Sequence, residues 1–219
     1  MAGLLASAAA TAPGLALASV KSLKLSKAFP FLDIYLGLAP AQHSRFNMVY
    51  YAYRDGHPAA DTRMTIIQPN GSRVPVPVGP DGRVLRLPTL AELKSDAKLE
   101  IEAPAGSKFG MSPELHPNME PSPHPDPAAL IASLAQVNAV VASMTGLFSF
   151  AAPKMAVAYF YGAASGQAEL ANGHSVPLPI SKAKFLPATP FFEPAGLVGA
   201  RGLALAKAPS RILLGPHMK

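Results

Sequence analysis

The stretch "MSPELHPNMEPSPHPDP", from Met111 to Pro127, concentrates side chains that can hold a metal. It contains His116 and His124, Met111 and Met119, the acids Glu114, Glu120 and Asp126, and six prolines in 17 residues. Imidazole with thioether favours copper, and imidazole with carboxylate also accepts zinc. The candidate ligands are His116, Met119 and His124. Two histidines eight residues apart in a proline-rich coil do not preorganise a site, and ligand type without geometry is weak ground. Six prolines keep a chain extended and remove hydrogen-bond donors, which describes a stiff linker without any ligand. The linker over 111–127 is the preferred reading, and no resident cofactor is expected. The pair His217-Met218 is of the same kind and weaker.

Other candidates for chemistry are fewer. "RDGHPAAD" (54–61) gathers Arg54, Asp55, His57 and Asp61, which suits an acid–base group or a loop between strands; with no neighbouring nucleophile or oxyanion donor, the loop is preferred. "GAASG" (162–166) does not match the nucleophile elbow, and no metalloprotease, dinucleotide or P-loop pattern is present. In "VYYAY" (49–53), strand alternation puts Val49, Tyr51 and Tyr53 on one face and Tyr50 and Ala52 on the other; "YFY" (159–161) is a second aromatic strand. One face must meet the core, and the other can present tyrosines to a ligand.

The elements that would position these groups are read from composition and pattern. The 219 residues are 49% hydrophobic and 15% charged, with 24 Pro, 17 Gly and no Cys. This favours short strands and turns, and excludes disulfides, thiolate metal sites and Cys nucleophiles. Residues 1–126 hold 12 basic and 11 acidic residues; 127–219 hold 7 basic and only Glu169 and Glu193 as acids. The basic residues are scattered, so nucleic acid is not an expected partner.

"MAGLLASAAATAPGLALA" is uncharged, and Ala16-Leu17-Ala18 fits a small-x-small cleavage pattern, although the usual positive n-region is missing. Residues 1–18 read as a signal peptide, with Ser19 as the new first residue and a periplasmic or secreted location. The charge-free stretch 127–153 reads as a mostly buried helix over 127–145 rather than a membrane span, because Ser133, Gln136, Asn138, Ser143 and Thr145 interrupt it. Asp126 is the expected cap, Gly146 the expected end, and Leu130, Leu134, Val137, Val141 and Met144 the expected buried face.

The chain also resembles itself. "NGSRVPVPV" (70–78) and "NGHSVPLPI" (172–180) share Asn-Gly-x-x-Val-Pro-x-Pro-aliphatic, 102 residues apart. Each Asn-Gly suits a type I′ hairpin turn. Upstream, "GLAPAQHSRFNMVYYAY" (37–53) parallels "GLFSFAAPKMAVAYFY" (146–161), and the last strands are "AKLEIEA" (97–103) and "SRILLGP" (210–216). A three-stranded meander is expected over 63–88 and a short helix over 89–96. The expected fold is α+β and mainly β: two tandem, related, sandwich-like units at 19–110 and 128–219, with the helix between them. The functional expectation is an exported, non-enzymatic binding or scaffolding protein of the cell envelope, with an unknown protein or envelope component as partner. The alternatives are a periplasmic copper- or zinc-binding protein, and a hydrolase with a site between the repeats.

Overall fold

The computed structural model describes residues 18–145, 153–183 and 187–218. The fold is mostly β, 38% strand and 19% helix, with several sheets, one of them a curled half-barrel. That sheet has six strands. In spatial order they are β11 (Phe191–Phe192), β8 (Val157–Tyr161), β13 (Arg211–Gly215), β7 (Phe109–Pro117), β2 (Phe46–Arg54) and β3 (His57–Pro58). It therefore draws strands from both halves of the chain. A four-stranded sheet holds β1 (Ala18–Lys24), β6 (Lys98–Pro104), β4 (Arg63–Ile67) and β5 (Arg73–Pro75). A three-stranded sheet holds β10 (Ser175–Pro177), β9 (Gly166–Leu170) and β12 (Ala200–Leu205).

Period-two alternation divides the six-stranded sheet into two faces. On one face, Tyr50, Ala52 and Met111 pack into a core with β4, β6 and the short helices α1 (Leu25–Ala28), α2 (Leu32–Gly37) and α3 (Leu90–Lys94). Further along the same face, Phe46, Leu115, Ala158, Phe160, Ile212 and Leu214 join a second core with β9, β12 and α4 (Pro127–Thr145). The opposite face carries Val49, Tyr51, Tyr53, Glu114, His116, Tyr159, Tyr161 and Arg211, the alternate residues of the same strands.

The helix α4 has the expected bounds. Asp126 caps it, its carboxylate accepting from the N–H of Ala128 at 2.9 Å and of Ala129 at 3.3 Å. Leu130, Leu134 and Val137 are buried as expected, whereas Val141 is only partly buried; Gly146 lies outside the described residues. The polar residues that argued against a membrane span dock the helix. Gln136 accepts from the Arg45 N–H, Ser133 donates to the Arg45 carbonyl, and Asn138 exchanges two bonds with the Met155 backbone. Among the described residues no helix is long and apolar enough to cross a membrane. The helix α3 forms where expected, with Thr89 and Glu92 bonding reciprocally as a capping box.

Three expectations need correction. Residues 111–117 are not linker: they are most of β7, paired with β2 from Phe46↔Pro117 to Arg54↔Phe109. Asp55 donates its N–H to the Lys108 carbonyl, and Asn118 donates its own to Arg45. The even-numbered residues of β7 therefore bond to β2, and Pro113 and Pro117 turn their donorless nitrogens to the other side. There only Leu115 pairs with β13, opposite Leu214. Prolines at odd positions thus permit a strand that can pair fully on one side alone.

The third strand of the expected meander is also absent. Residues 78–84 make isolated bridges, Val78↔Val84 and Tyr51↔Arg83, so the chain folds back onto β2 instead. Finally, the Asn-Gly turns are not type I′. Gly71 and Gly173 have φ of 83° and 82°, but neither Asn is among the residues of positive φ. In each, a turn closes from Gln68 to Gly71 or from Leu170 to Gly173, and the Asn side chain accepts from the residue after Gly. The turn with two positive φ values is Asp55-Gly56 (52° and 83°), joining β2 to β3.

Candidate functional site

The β2–β7–β13 region of the sheet's opposite face holds a cluster of ionisable groups. Glu114 and His116 are two apart on β7 and so share that face. Arg211 opens β13, in the other half of the chain. Its Nε–H donates to Glu114 Oε2 at 3.1 Å and its Nη2 to Oε1 at 3.4 Å, a bidentate pair. His116 Nε2 lies 2.8 Å from Glu114 Oε2. The three side chains are 8%, 19% and 14% exposed for Glu114, Arg211 and His116.

Aromatic rings complete the enclosure. The Arg211 guanidinium carbon sits 4.4 Å from the centre of the Tyr51 ring and 4.1 Å from that of Tyr161, and the His116 ring stacks on Tyr51 at 6.1 Å. A guanidinium between two ring faces keeps favourable electrostatics after losing water. Burial pushes the phenols of Tyr51 and Tyr161 up to about 12, with Glu114 reinforcing the shift and Arg211 opposing it. Tyr53 is raised for the same reasons. Burial alone would lower Arg211, but Glu114 and the three tyrosines around it outweigh that, and its pKa is raised.

Above this cluster lies a cavity of about 500 Å³. Tyr51, His116, Arg211 and Ile212 line it, and the exposed Asn47, Asp81, Arg83, Asn118 and Glu120 ring its mouth. Asn47 donates to Asn118 Oδ1, and Asn118 donates to the Ser44 carbonyl, so the amides on that side of the mouth are braced. Among the residues that line it, Arg211 and Arg83 are set against Asp81 and Glu120, so the two charges balance. The volume lies in the range of small-ligand sites, and the lining is more polar than is usual for them.

The structure separates the three residues proposed as metal ligands. His116 and Met119 line the cavity, but His116 spends Nε2 on Glu114; His124 is exposed and is not part of the lining. Among the described residues no group of three His, Asp or Glu side chains is placed to hold a metal. The acid–base candidate at 54–61 resolves into local structure: Arg54 pairs with Asp61 at 2.8 Å, and Asp55 Oδ1 accepts from the Lys108 N–H. His217 meets Glu193 at 3.2 Å, beside Phe191.

Sequence reasoning grouped Glu114 with His116 as nearby acid and ligand, but missed Arg211, Asp81 and Arg83. The available signal was parity: once residues 111–117 are a strand, Glu114 and His116 must share a face with Ser112, and the pairing with β2 adds Tyr51 and Tyr53 to it. Comparison with protein-family models, curated proteins and solved structures finds no match for this chain.

Proposed function

We propose that this chain is a non-enzymatic binding protein of the cell envelope, built by tandem duplication, whose ligand site is the polar cavity where the two units meet. The observation that carries the reading is Arg211, contributed by one unit, fixed to Glu114 of the other and held between Tyr51 and Tyr161. Such a cluster is preorganised, so binding does not have to order it. Because the charges lining the cavity nearly balance, the ligand class is small, polar, and neutral or zwitterionic.

The duplication is supported by equivalent hydrogen bonds. Val76 donates to Met64 and Leu178 to Gly166, Leu85 to Pro77 and Phe191 to Pro179, and Gly79 to Arg83 and Ser181 to Thr189. Tyr53 pairs with Gly110 and Tyr161 with Arg211, so 114 corresponds to 215 and 116 to 217. Glu114 and Gly215 then lie on a pseudo-twofold axis beside the lone Leu115–Leu214 bridge. The symmetry mate of that bridge would join Pro113 to Pro216, two residues without an N–H. Cleavage after Ala18 is compatible with β1, since it would leave Ser19 to Lys24 paired.

The test is thermal unfolding of chain 19–219 against a panel of monosaccharides and amino acids. A binder raises stability by about 2.7 kcal/mol at a hundredfold excess over its dissociation constant. The expected result is a shift by at least one class, lost in Arg83→Ala and His116→Ala. Shifts that survive both variants refute the site. A second reading, an acid–base hydrolase, is favoured by the Glu114–His116 bond, which orients an imidazole as carboxylate–histidine pairs do. Turnover of simple nitrophenyl esters, abolished by His116→Ala, would replace the binding reading with this one.

A further inference from the structure

A second cavity, of about 370 Å³, lies on the other face of the six-stranded sheet, where α2 and α4 diverge over β2 and β7. Its walls include Phe46, Met48, Leu115, Val137, Val140 and Met155, and they are almost wholly apolar. Among the described residues its wall carries one phenol, Tyr35, whose ring packs against those of His43 and Phe46. The cavity therefore offers a contact area that is nearly all apolar, which suits hydrocarbon.

Three further observations bear on that ligand. The volume equals about a dozen water-sized groups, the bulk of a medium-length alkyl chain. At the mouth, Phe31 is 59% exposed and Ile34 41% exposed, although both are large and apolar. Phe31 also holds a left-handed backbone, φ 69°, at the N-terminus of α2. For an aromatic residue this conformation is strained, and such strain persists where the surrounding structure imposes it. Its consequence here is an aromatic ring at the entrance of an apolar cavity. Charge completes the picture. Lys154 is exposed between the lining residues Pro153 and Met155 and forms no ion pair among the described residues. From 127 to 153 the sequence has no charge at all, so Lys154 is the first charged residue after α4 begins.

We propose that this cavity binds the alkyl chain of a fatty-acid-like ligand, with Phe31 and Ile34 covering the chain and Lys154 meeting the anionic head. This site is separate from the polar cavity and does not depend on the reading given to it.

The test is calorimetric titration of the full chain with dodecanoate and with butanoate, below the micellar range of the longer acid. Each buried methylene contributes about 0.8 kcal/mol, so several of them separate the two acids by at least about a hundredfold in affinity. Dodecanoate is expected to bind at one site, butanoate not measurably. Met155→Trp and Leu115→Trp, each checked for unchanged circular dichroism and melting, should fill the cavity and weaken dodecanoate at least about tenfold. Lys154→Glu should weaken it while leaving dodecanol binding unchanged. Equal affinity for both acids, or full dodecanoate binding in a folded cavity-filled variant, overturns the proposal. Sedimentation with anionic phosphatidylglycerol vesicles in the absence of dodecanoate binding would also overturn it, and would assign Phe31 and Ile34 to a membrane surface.

Discussion

Glu114→Gln keeps the shape of the side chain and removes its charge, which isolates the electrostatics of the cluster. In the native protein the carboxylate accepts from Arg211 at 3.1 and 3.4 Å and meets His116 at 2.8 Å. At an effective dielectric of about 20, a unit charge pair at this separation is worth about 5 kcal/mol before desolvation. Removing one member of a buried pair typically costs about 3–5 kcal/mol, because the other is left without a counter-ion. Arg211 is 19% exposed and keeps two ring faces, so the lower end applies, about 2–3 kcal/mol. Urea unfolding followed by circular dichroism reads this as a midpoint lower by about 1 M, with a slope of about 2–3 kcal/mol per M for a chain of this size. Arg211→Met alone should cost a similar amount, since it strands Glu114. The double variant should cost less than the sum of the two, with a coupling of at least about 1.5 kcal/mol, because each change removes the charge that the other strands. A single-variant cost below about 0.5 kcal/mol, or additive costs in the cycle, would refute the view that these groups form one buried unit.

Three further outcomes follow from the same structure. All six tyrosines are raised by burial, Tyr51 and Tyr161 to about 12. The fold favours the neutral phenols, so their contribution is complete below the unfolded value of about 10 and is lost as pH rises from there through about 12. At about pH 10.5 the near-ultraviolet tyrosinate band should be weak in the folded chain and about three-quarters developed in urea; equal bands would contradict the burial of these rings. Gly82→Ala should destabilise far more than Gly71→Ala. Both have positive φ, but a Cβ at 82 would meet the Ala52 carbonyl at 2.7 Å, whereas at 71 it meets open space; comparable melting temperatures would count against the packing of residues 79–84 on β2. Asp126→Ala should cost about 1 kcal/mol through loss of the α4 cap, seen as a fall of about 2–4 °C in melting temperature.

The local rules were legible in the chain itself. Asp126, Pro127 and the spacing of Leu130, Leu134 and Val137 mark α4 because caps and a 3.6-residue period are properties of the helix backbone alone. Thr89 with Glu92 marks α3, and alternation in 49–53 places Tyr51 and Tyr53 on one face, for the same reason. The error over 111–117 came from counting prolines instead of noting their parity. Pro113 and Pro117 both fall on odd positions, so β7 loses donors on one side only and pairs with β2 along its whole length on the other. Whether a strand pairs depends on a partner 55 to 71 residues earlier, from Arg54↔Phe109 to Phe46↔Pro117, which no local rule supplies. The site itself was beyond reach for that reason. Glu114 and Arg211 are 97 residues apart and meet because β7 and β13 lie side by side in one sheet. Residue types set the chemistry available on each strand, and the packing of the two halves decided which of those groups would lose water together as the candidate site.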